Sequence, residues 1–306
     1  MFNFNNIASI NQEISLPILK KYNKKIYFKR EDLIHPIISG NKFRKLKYNI
    51  KEALKINKTH LISFGGAYSN HLLALSYIGK LYGISTLGII RGEELLKKKL
   101  NSTLQKCNDF GMKFIYVSRE EYRKRNNKKY IDSLQKLYKD SFIIPEGGTN
   151  HLGVKGCEEI LTKKDEDFDV ICCPVGSGGT ISGLINSKNK NQKVLGFSAL
   201  KASGINNVIS NFVNNNNWEL YDDIFFGGYS KVDNRLVSFI NETYSSTGVL
   251  LDPIYNSKML FRIINLILID KWIYGDKILI INTGGLQSVY EMNLKLKKKG
   301  CITINH

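Results

Sequence analysis

The sequence has few of the residues on which small stapled or metal-bound folds depend. Its 306 residues include 5 prolines and 5 cysteines. The cysteines form neither a C-x-x-C pair nor zinc-finger spacing, and they are odd in number: Cys107, Cys157, Cys172, Cys173 and Cys301. A disulfide-stapled miniprotein is therefore excluded, no metal site is predicted, and a thiol-reducing compartment is expected.

Long apolar runs are missing as well. Residues 1–19 lack the basic segment and apolar core of a secretory signal. The longest apolar candidate, residues 263–269, is far shorter than the roughly 18 residues of a membrane-spanning helix. The sequence therefore predicts a soluble, cytoplasmic protein that does not enter a membrane.

Acidic residues and arginine are scarce relative to lysine. The chain has 45 Lys plus Arg against 27 Asp plus Glu, a net charge of +18, yet only 8 of the basic residues are Arg. A positive balance favours nucleic acid, acidic surfaces or small anionic ligands, but planar Arg is the side chain that nucleic-acid sites use most. The chain also lacks a basic arm, an aromatic stacking motif and a recognition-helix pattern. We therefore predict no nucleic-acid partner and interpret most of the charge as solvated surface, with a basic nucleic-acid-binding protein without catalysis as the alternative.

Hydrophobic residues make up 42% of the chain, which is enough to form a packed core. Short apolar runs alternate with helix-length amphipathic segments nearly from end to end. The predicted strands are 26–28, 61–64, 86–90, 114–117, 142–144, 170–174, 194–197 and 278–281. The alternation predicts an α/β fold with mostly parallel strands. Because no Gly/Ser linker appears, any two domains should be interwoven.

Glycines follow the ends of four predicted strands. They are Gly65 and Gly66, Gly147 and Gly148, Gly176 with Gly178 and Gly179, and Gly284 with Gly285. Parallel strands joined by helices gather ligand sites at their carboxyl ends, where loops are rich in glycine. We therefore expect these segments to meet at one site.

The strongest local signal is V-G-S-G-G-T-I-S-G at residues 175–183. A strand that opens into small residues and then a helix presents backbone N–H groups at a positive helix terminus, which suits a phosphate, and Thr180 adds a hydroxyl. A dinucleotide fingerprint would need glycine where Ile181 stands, and no P-loop Gly-Lys-Ser/Thr follows. The segment therefore predicts a phosphate cradle, with a ligand-free glycine turn as the alternative.

A second signal is S-G-N-K-F-R-K-L-K-Y at residues 39–48, where small polar residues lead into a helix. Lys42 lies near the helix start, and we expect the helix dipole together with Arg44 and Lys45 to lower the pKa of its amine. A lysine that loses its proton near neutral pH is able to form a Schiff base. A surface lysine is the alternative for any of the 37 lysines.

A third signal is G-G-A-Y-S-N-H at residues 65–71, again a strand end that turns into a helix. Ser69 and Asn70 should lie at the helix N-terminus, where they either cap the backbone or point at an anionic group. His71 alone is more typical of a hydrogen-bonded structural histidine than of a base.

Two tyrosines and one threonine complete the candidates. Tyr229 lies in F-F-G-G-Y-S-K, and Tyr255 lies in D-P-I-Y just before a helical run. Thr283 ends the last predicted strand and is able to hydrogen-bond a ring nitrogen. Core packing is the alternative for each tyrosine.

Five motifs from these segments, taken in their order along the chain, resemble the 1-aminocyclopropane-1-carboxylate deaminase and D-cysteine desulfhydrase family of pyridoxal-phosphate enzymes. The resemblance covers residues 16–290 and rests on G-N-K-x-R-K-L, G-G-x-x-S-N-H, G-S-G-G-T, D-P-I-Y and T-G-G. It implies the tryptophan synthase beta-like fold type II, with two interwoven domains of twisted, mostly parallel sheets flanked by helices. The implied division is a large coenzyme domain, 1–46 and 156–306, and a small α/β domain, 47–155. Family members are commonly homodimers.

The resemblance also implies roles for single residues. Lys42 would be the Schiff-base lysine, and Ser69, Asn70 and His71 would line the coenzyme and the substrate carboxylate. Tyr229 and Tyr255 would be the active-site tyrosines, and Thr283 would face the pyridine nitrogen. The phosphate of pyridoxal 5'-phosphate would be held by Gly176, Ser177, Gly178, Gly179 and Thr180.

The implied reaction depends on the residue after the D-P-x-Y tyrosine. Family deaminases have a Glu there that keeps the pyridine nitrogen protonated, whereas this chain has Asn256. A hydroxyl such as that of Thr283 leaves the nitrogen nearer neutral, which suffices for α-proton removal and loss of a good leaving group. We therefore expect β-elimination from a small D-amino acid, as in D-cysteine desulfhydrase, giving pyruvate, ammonia and hydrogen sulfide. Lys42 would remove the α-proton, with Ser69 and Tyr255 assisting. The alternatives are 1-aminocyclopropane-1-carboxylate deaminase, a racemase and a β-replacement enzyme.

Overall fold

Two sheets, flanked by helices, organise the chain. The computed structural model describes residues 9–199, 204–223, 225–228 and 230–306. The first sheet has six strands in the order β1, β2, β10, β7, β8, β9, and all neighbours are parallel except β1 and β2. These strands are β1 Asn11–Ile14, β2 Lys25–Lys29, β7 Val170–Val175, β8 Lys193–Ser198, β9 Trp218–Tyr221 and β10 Lys277–Ile281.

The second sheet is smaller and entirely parallel. Its four strands lie in the order β5, β4, β3, β6. They are β3 His60–Gly65, β4 Ser85–Arg91, β5 Lys113–Val117 and β6 Ser141–Ile144. All eight predicted strands lie within β2 to β8 and β10, so the α/β prediction is confirmed.

Helices cover both sheets. Those around the second sheet are α1 Asn41–Lys55, α2 Asn70–Tyr82, α3 Ser102–Asp109, α4 Arg119–Arg123, α5 Lys128–Leu137 and α6 His151–Glu158. Those around the first sheet are α7 Gly179–Ser187, α8 Ile205–Ser210, α9 Asn234–Thr247, α10 Asn256–Leu268 and α11 Gln287–Lys298. Within the described residues, no helix combines the length and the apolar composition that crossing a membrane requires.

Strand alternation explains why the first sheet carries helices on both faces. Along β10, Ile278 and Ile280 join one apolar core with residues of α10, whereas Leu279 and Ile281 join another with residues of α7 and α8. Successive side chains of a strand point to opposite faces, so a strand buried on both sides is apolar throughout. This burial accounts for the continuous apolar runs in the sequence.

Two strands were not predicted. Both β1 (N-Q-E-I) and β9 (W-E-L-Y) are edge strands, and each has only partly buried or exposed residues apart from Ile14. An edge strand that is half covered carries no continuous apolar run, so its sequence does not differ from that of a loop.

Helix α1, which carries Lys42, and the glycine before it lie in direct backbone contact with α6 and with the end of β10. A Cβ added to Gly156 of α6 would lie 1.9 Å from the carbonyl oxygen of Arg44 in α1. A Cβ added to Gly40, which precedes α1 at φ +61°, would lie 2.0 Å from the carbonyl oxygen of Thr283. These contacts fix the first turns of α1 between α6 and the end of β10.

Buried ion pairs secure the segment before α1. Arg44 donates from Nε and Nη2 to the two carboxylate oxygens of Glu31, both at 2.8 Å, and Glu31 is fully buried. Lys29 donates to both oxygens of Asp165 at 2.9 and 2.7 Å, again in the interior. Breaking such a pair leaves a buried charge without a partner, so the two pairs hold residues 29–31 firmly against α1 and against the segment before β7.

We predict that Gly156→Ala lowers the melting temperature. The added methyl overlaps backbone that has no room to move, and overpacking of this kind costs about 1–3 kcal/mol. Gly66→Ala is the matched control, because its Cβ would have no neighbour closer than 3.9 Å. Thermal unfolding followed by circular dichroism measures both, and equal melting temperatures for the two variants would contradict the close contact.

Candidate active site

The predicted glycine-rich loop follows β7 and begins α7. Gly178 has φ +84°, and Gly179 and Thr180 form the first turn of α7, where backbone N–H groups lack helical partners. A Cβ added to Gly176 would lie 3.4 Å from Cε1 of Tyr255, so the loop lies beside the start of α10. The nest of N–H groups that the sequence predicts is therefore present at the carboxyl end of the first sheet.

The loop is joined directly to the segment of Lys42. Asn41 donates from Nδ2 to Oγ1 of Thr180 at 2.9 Å, and the amine of Lys42 donates to Oδ1 of the same asparagine at 2.8 Å. Asn41 therefore holds the Lys42 amine close to the first turn of α7.

The Lys42 amine is surrounded by protein atoms and lies near another cation. Burial, followed by the charge of Lys45, lowers the pKa of Lys42 to about 7. The expectation that Arg44 also lowers this pKa is wrong, because the guanidinium of Arg44 is paired with the carboxylate of Glu31. A large fraction of Lys42 is therefore unprotonated at neutral pH, which a nucleophilic amine requires.

Lys45, which sequence reasoning did not select as a site residue, lies at the glycine loop. Its buried amine donates to Oγ1 of Thr149 at 3.1 Å and to Oγ of Ser177 at 3.2 Å, and these two hydroxyl oxygens are 2.7 Å apart. A Cβ added to Gly179 would lie 3.1 Å from the Lys45 amine. One ammonium, two hydroxyls and a helix N-terminus thus converge on one point, a donor set that suits a phosphate.

The S-N-H segment forms the start of α2. Ser69 is the N-cap, and its Oγ accepts from the backbone N–H of Leu72 at 3.2 Å, so the capping alternative holds for this side chain. Asn70 accepts through Oδ1 from Nε2 of Gln287 in α11. A Cβ added to Gly285 would lie 2.8 Å from Nδ2 of Asn70, which places Asn70 against the T-G-G loop.

His71 is 2% exposed and points inward. Its Nε2 lies 2.8 Å from Oγ of Ser63, whereas its Nδ1 is buried and has no hydrogen-bond partner within the described residues. Burial, then the charges of Lys42 and Lys45, hold the pKa of His71 well below its usual value. The imidazole is therefore neutral.

The start of α10 and the end of β10 form the far side of the site. Asn256 donates from Nδ2 to Oδ2 of Asp252 at 2.5 Å and to the carbonyl oxygen of Gly284 at 3.1 Å, and it accepts through Oδ1 from the N–H of Thr283 at 3.1 Å. The Oγ1 of Thr283 lies 3.5 Å from the same Oδ1. Tyr229, the other predicted tyrosine, lies outside the described residues.

The arrangement places a set of donors that suits an anion beside an amine of lowered pKa. The loops that the sequence predicts to meet do meet, and they bring together Lys42, His71, Tyr255, Thr283 and the glycine loop. Within the described parts of the chain, no cluster of His, Cys, Asp and Glu is suited to a metal ion. A phosphate-bearing carbonyl compound matches this set, because the cradle takes its phosphate and the amine takes its carbonyl.

Comparison with known proteins agrees with this geometry. A protein of Thermotoga maritima, named as a candidate 1-aminocyclopropane-1-carboxylate deaminase, is 33% identical over 90% of this chain and 94% of its own. The mitochondrial bifunctional D-cysteine desulfhydrase/1-aminocyclopropane-1-carboxylate deaminase of Arabidopsis thaliana is 31% identical over 87% of this chain and 73% of its own.

A solved structure shows the same fold. The crystal structure of a homologue of 1-aminocyclopropane-1-carboxylate deaminase superposes with a TM-score of 0.82 at 24% identity, covering 97% of this chain and 95% of the other. The family described as pyridoxal-phosphate dependent enzymes matches residues 12–284. The chain belongs to this family of pyridoxal-phosphate dependent enzymes, in its fold type II branch.

Proposed function

We propose that the protein catalyses β-elimination from a small D-amino acid, with D-cysteine as the substrate. D-cysteine and water would give pyruvate, ammonia and hydrogen sulfide, so that the Cβ–S bond breaks and the thiolate leaves. The observation that carries this choice is that the uncharged Asn256 stands at the position where family deaminases have a glutamate. Its neighbour in the site, Thr283, is uncharged as well. D-cysteine desulfhydrase is also named among the relatives, in Arabidopsis thaliana and in Salmonella.

The residues of the site fit the coenzyme. We propose that Gly176, Ser177, Gly178, Gly179 and Thr180 hold its phosphate, and we add Lys45 and Thr149 because they converge on the same loop. Asn70 and Thr283 would contact its ring. When bound, pyridoxal phosphate withdraws electrons from the α-carbon of an attached amino acid, which makes the α-proton acidic.

Side chains of the protein would attach the coenzyme, bind and orient the substrate, and move the α-proton. Lys42 would hold the coenzyme, and its neutral amine would later take the α-proton at Nζ. Ser69 and the first N–H groups of α2 would bind the substrate carboxylate, because a helix N-terminus attracts an anion. Tyr255, which flanks Gly176, would orient the substrate and assist proton transfer with Tyr229.

Asn256 supports elimination over ring opening. Both protons of its amide are taken by Asp252 and the Gly284 carbonyl, and its oxygen accepts from the Thr283 N–H, so Asn256 uses its hydrogen bonds within the protein and leaves the ring nitrogen to the Thr283 hydroxyl. Neither Asn256 nor Thr283 supplies the negative charge that would stabilise a protonated pyridine. A weaker electron sink suffices when the leaving group is a thiolate.

We also propose the division into 1–46 with 156–306 and 47–155, a homodimeric state and a cytoplasmic location. The division is supported by the two sheets, since the smaller one is built only from residues 60–144. The proposed boundary after residue 46 falls within α1, whose apolar face packs in the core of the smaller sheet. The other two proposals rest on the family resemblance and the sequence composition.

Replacement of Lys42 by Ala should abolish turnover and the visible absorbance of the lysine-linked coenzyme. Lys45→Met is the matched comparison in the same helix: we expect it to keep that absorbance and bind the coenzyme more weakly, because the phosphate loses a contact while the amine of Lys42 is kept, with a pKa no longer lowered by the charge of Lys45. Absorbance titration with pyridoxal phosphate measures both effects, and a fully active Lys42→Ala variant would refute the assignment.

Capture of pyridoxal phosphate by the coenzyme-free protein should accelerate with pH and level off above about 7. Lys42 is reactive only without its proton, and burial lowers its pKa to about 7, whereas an ordinary lysine titrates near about 10.4. Stopped-flow absorbance gives the rates, and a free lysine derivative measured in parallel removes the pH dependence of the coenzyme itself. Rates that continue to rise towards pH 10 would show that Lys42 is an ordinary amine.

A substrate panel separates the candidate reactions. We expect D-cysteine to give equal amounts of pyruvate and sulfide, with slower or no release from L-cysteine and from 1-aminocyclopropane-1-carboxylate. Release of 2-oxobutanoate from the cyclopropane substrate as the main activity would favour the deaminase instead. Interconversion of enantiomers without ketoacid would indicate a racemase.

A further inference from the structure

The imidazole of His71 has one tautomer available to it. Ser63 Oγ lies 2.7 Å from the carbonyl oxygen of Ile144 and 3.5 Å from that of Pro145. The hydroxyl has one hydrogen, and the contact of 2.7 Å directs it to the Ile144 carbonyl, which only accepts. Ser63 must therefore accept from His71, which places the ring proton on Nε2 and leaves Nδ1 as a bare lone pair.

The lone pair of Nδ1 is buried on the side of the ring that faces the site. A Cβ added to Gly148 would lie 3.3 Å from Cε1 and 3.7 Å from Nδ1 of His71, and 3.2 Å from Cβ of Lys45. Within the described residues Nδ1 has no partner. A buried acceptor without a partner is costly, so this atom is expected to find a donor when the site is filled.

An anion is the wrong partner for this atom. To bind a carboxylate, Nδ1 would need a proton, either by a change of tautomer or by protonation of the ring. The first would turn the Ser63 hydroxyl towards Nε2 and give up its 2.7 Å hydrogen bond to the Ile144 carbonyl, at a cost of about 0.5–1.5 kcal/mol. The second would place a third cation beside Lys42 and Lys45.

We propose that His71 is an obligate hydrogen-bond acceptor that receives an amine N–H in the site, and that the substrate carboxylate does not bind to it. This inference rests on the proposed function and refines the carboxylate contact that family resemblance implies for His71. Two amines supply the same chemistry, namely that of Lys42 and that of the amino-acid substrate. The carboxylate is left to Ser69 and the N-terminus of α2, so His71 and Ser69 together set the orientation of the substrate.

Nitrogen-15 NMR of histidine-labelled protein tests the polarity of the ring. The chain has 5 histidines, and His71→Gln identifies the signals of His71 by their loss. In the coenzyme-free protein we expect the Nε2–H tautomer throughout the range from about pH 6 to about pH 8. A proton on Nδ1, or an imidazolium in that range, would overturn the proposal.

Two further comparisons identify the donor. Comparing the Nδ1 shift of the coenzyme-free protein with that of Lys42→Ala tests the lysine amine. Adding D-alanine or propionate to the coenzyme-loaded protein tests the substrate amine, because the two ligands share a carboxylate and differ in the amino group. The proposal is supported if the Nδ1 chemical shift of His71 differs between the coenzyme-free protein and Lys42→Ala. It is also supported if this chemical shift changes on addition of D-alanine but not of propionate. Equal responses to the two ligands, or no shift in either comparison, would refute it.

The serine that fixes the tautomer provides a kinetic test. Ser63→Ala should lower kcat/KM by about 2- to 10-fold, the effect of one hydrogen bond, while the coenzyme absorbance is kept. Ser76→Ala is the control, since Ser76 is a buried serine of α2 that donates to the Leu73 carbonyl at 2.8 Å. Failure of the proposed function would show in the substrate panel as no release of sulfide from D-cysteine, whereas the coenzyme-free NMR comparison would still decide the role of His71.

Discussion

Close backbone contact around the first turns of α1 is the constraint on which the site depends. Gly40 and Gly156 allow the backbone of α1 to approach the end of β10 and α6 to a distance that any side chain would prevent. The buried pair of Glu31 and Arg44 then fixes the rotation of the helix. As a result, Lys42 and Lys45, one helical turn apart, both face the glycine loop after β7, and the reactive amine and the anion cradle share one rigid support.

Two lysine side chains placed so close together, the buried Lys45 and the partly buried Lys42, repel each other when both are charged. Each loses solvation, and the charge of Lys45 further disfavours the cation of Lys42. Within the described residues, the Lys45 amine donates to two hydroxyls and to no carboxylate. A bound phosphate would therefore supply the negative charge that this buried ammonium lacks. Lys42 donates to the neutral Oδ1 of Asn41, and its lowered pKa means that it loses its proton more readily than an ordinary lysine. The same arrangement thus gives two chemically identical side chains different roles: Lys45 would contact the anion, and Lys42 would act as the nucleophile.

The sequence was sufficient for the fold because buried parallel strands leave continuous apolar runs followed by glycine. It did not reveal β1 and β9, which are edge strands with little burial. In the site, segments with an unusual composition were found, as with the loop of Gly178. Lys45 and Thr149 were missed because neither differs locally from the many lysines and threonines elsewhere, and only the three-dimensional packing brings them to the loop. Arg44 was misjudged for a related reason: its carboxylate partner, Glu31, is 13 residues away, so sequence alone gives it a charge that the fold neutralises.

Burial, rather than net charge, decides which cations matter in this protein. The excess of +18 lies mostly in exposed lysines, where dissolved salt screens each charge beyond about 10 Å. Inside the site, burial is the main cause that lowers the pKa of Lys42 and of His71, and the charges of neighbouring lysines add to it because they act at low dielectric. An imidazole kept neutral in this way is able to accept a hydrogen bond close to Lys45, whose ammonium only donates. The site therefore needs an uncharged acceptor as much as it needs its cations, because an amine substrate surrounded only by donors would have no group to receive its N–H.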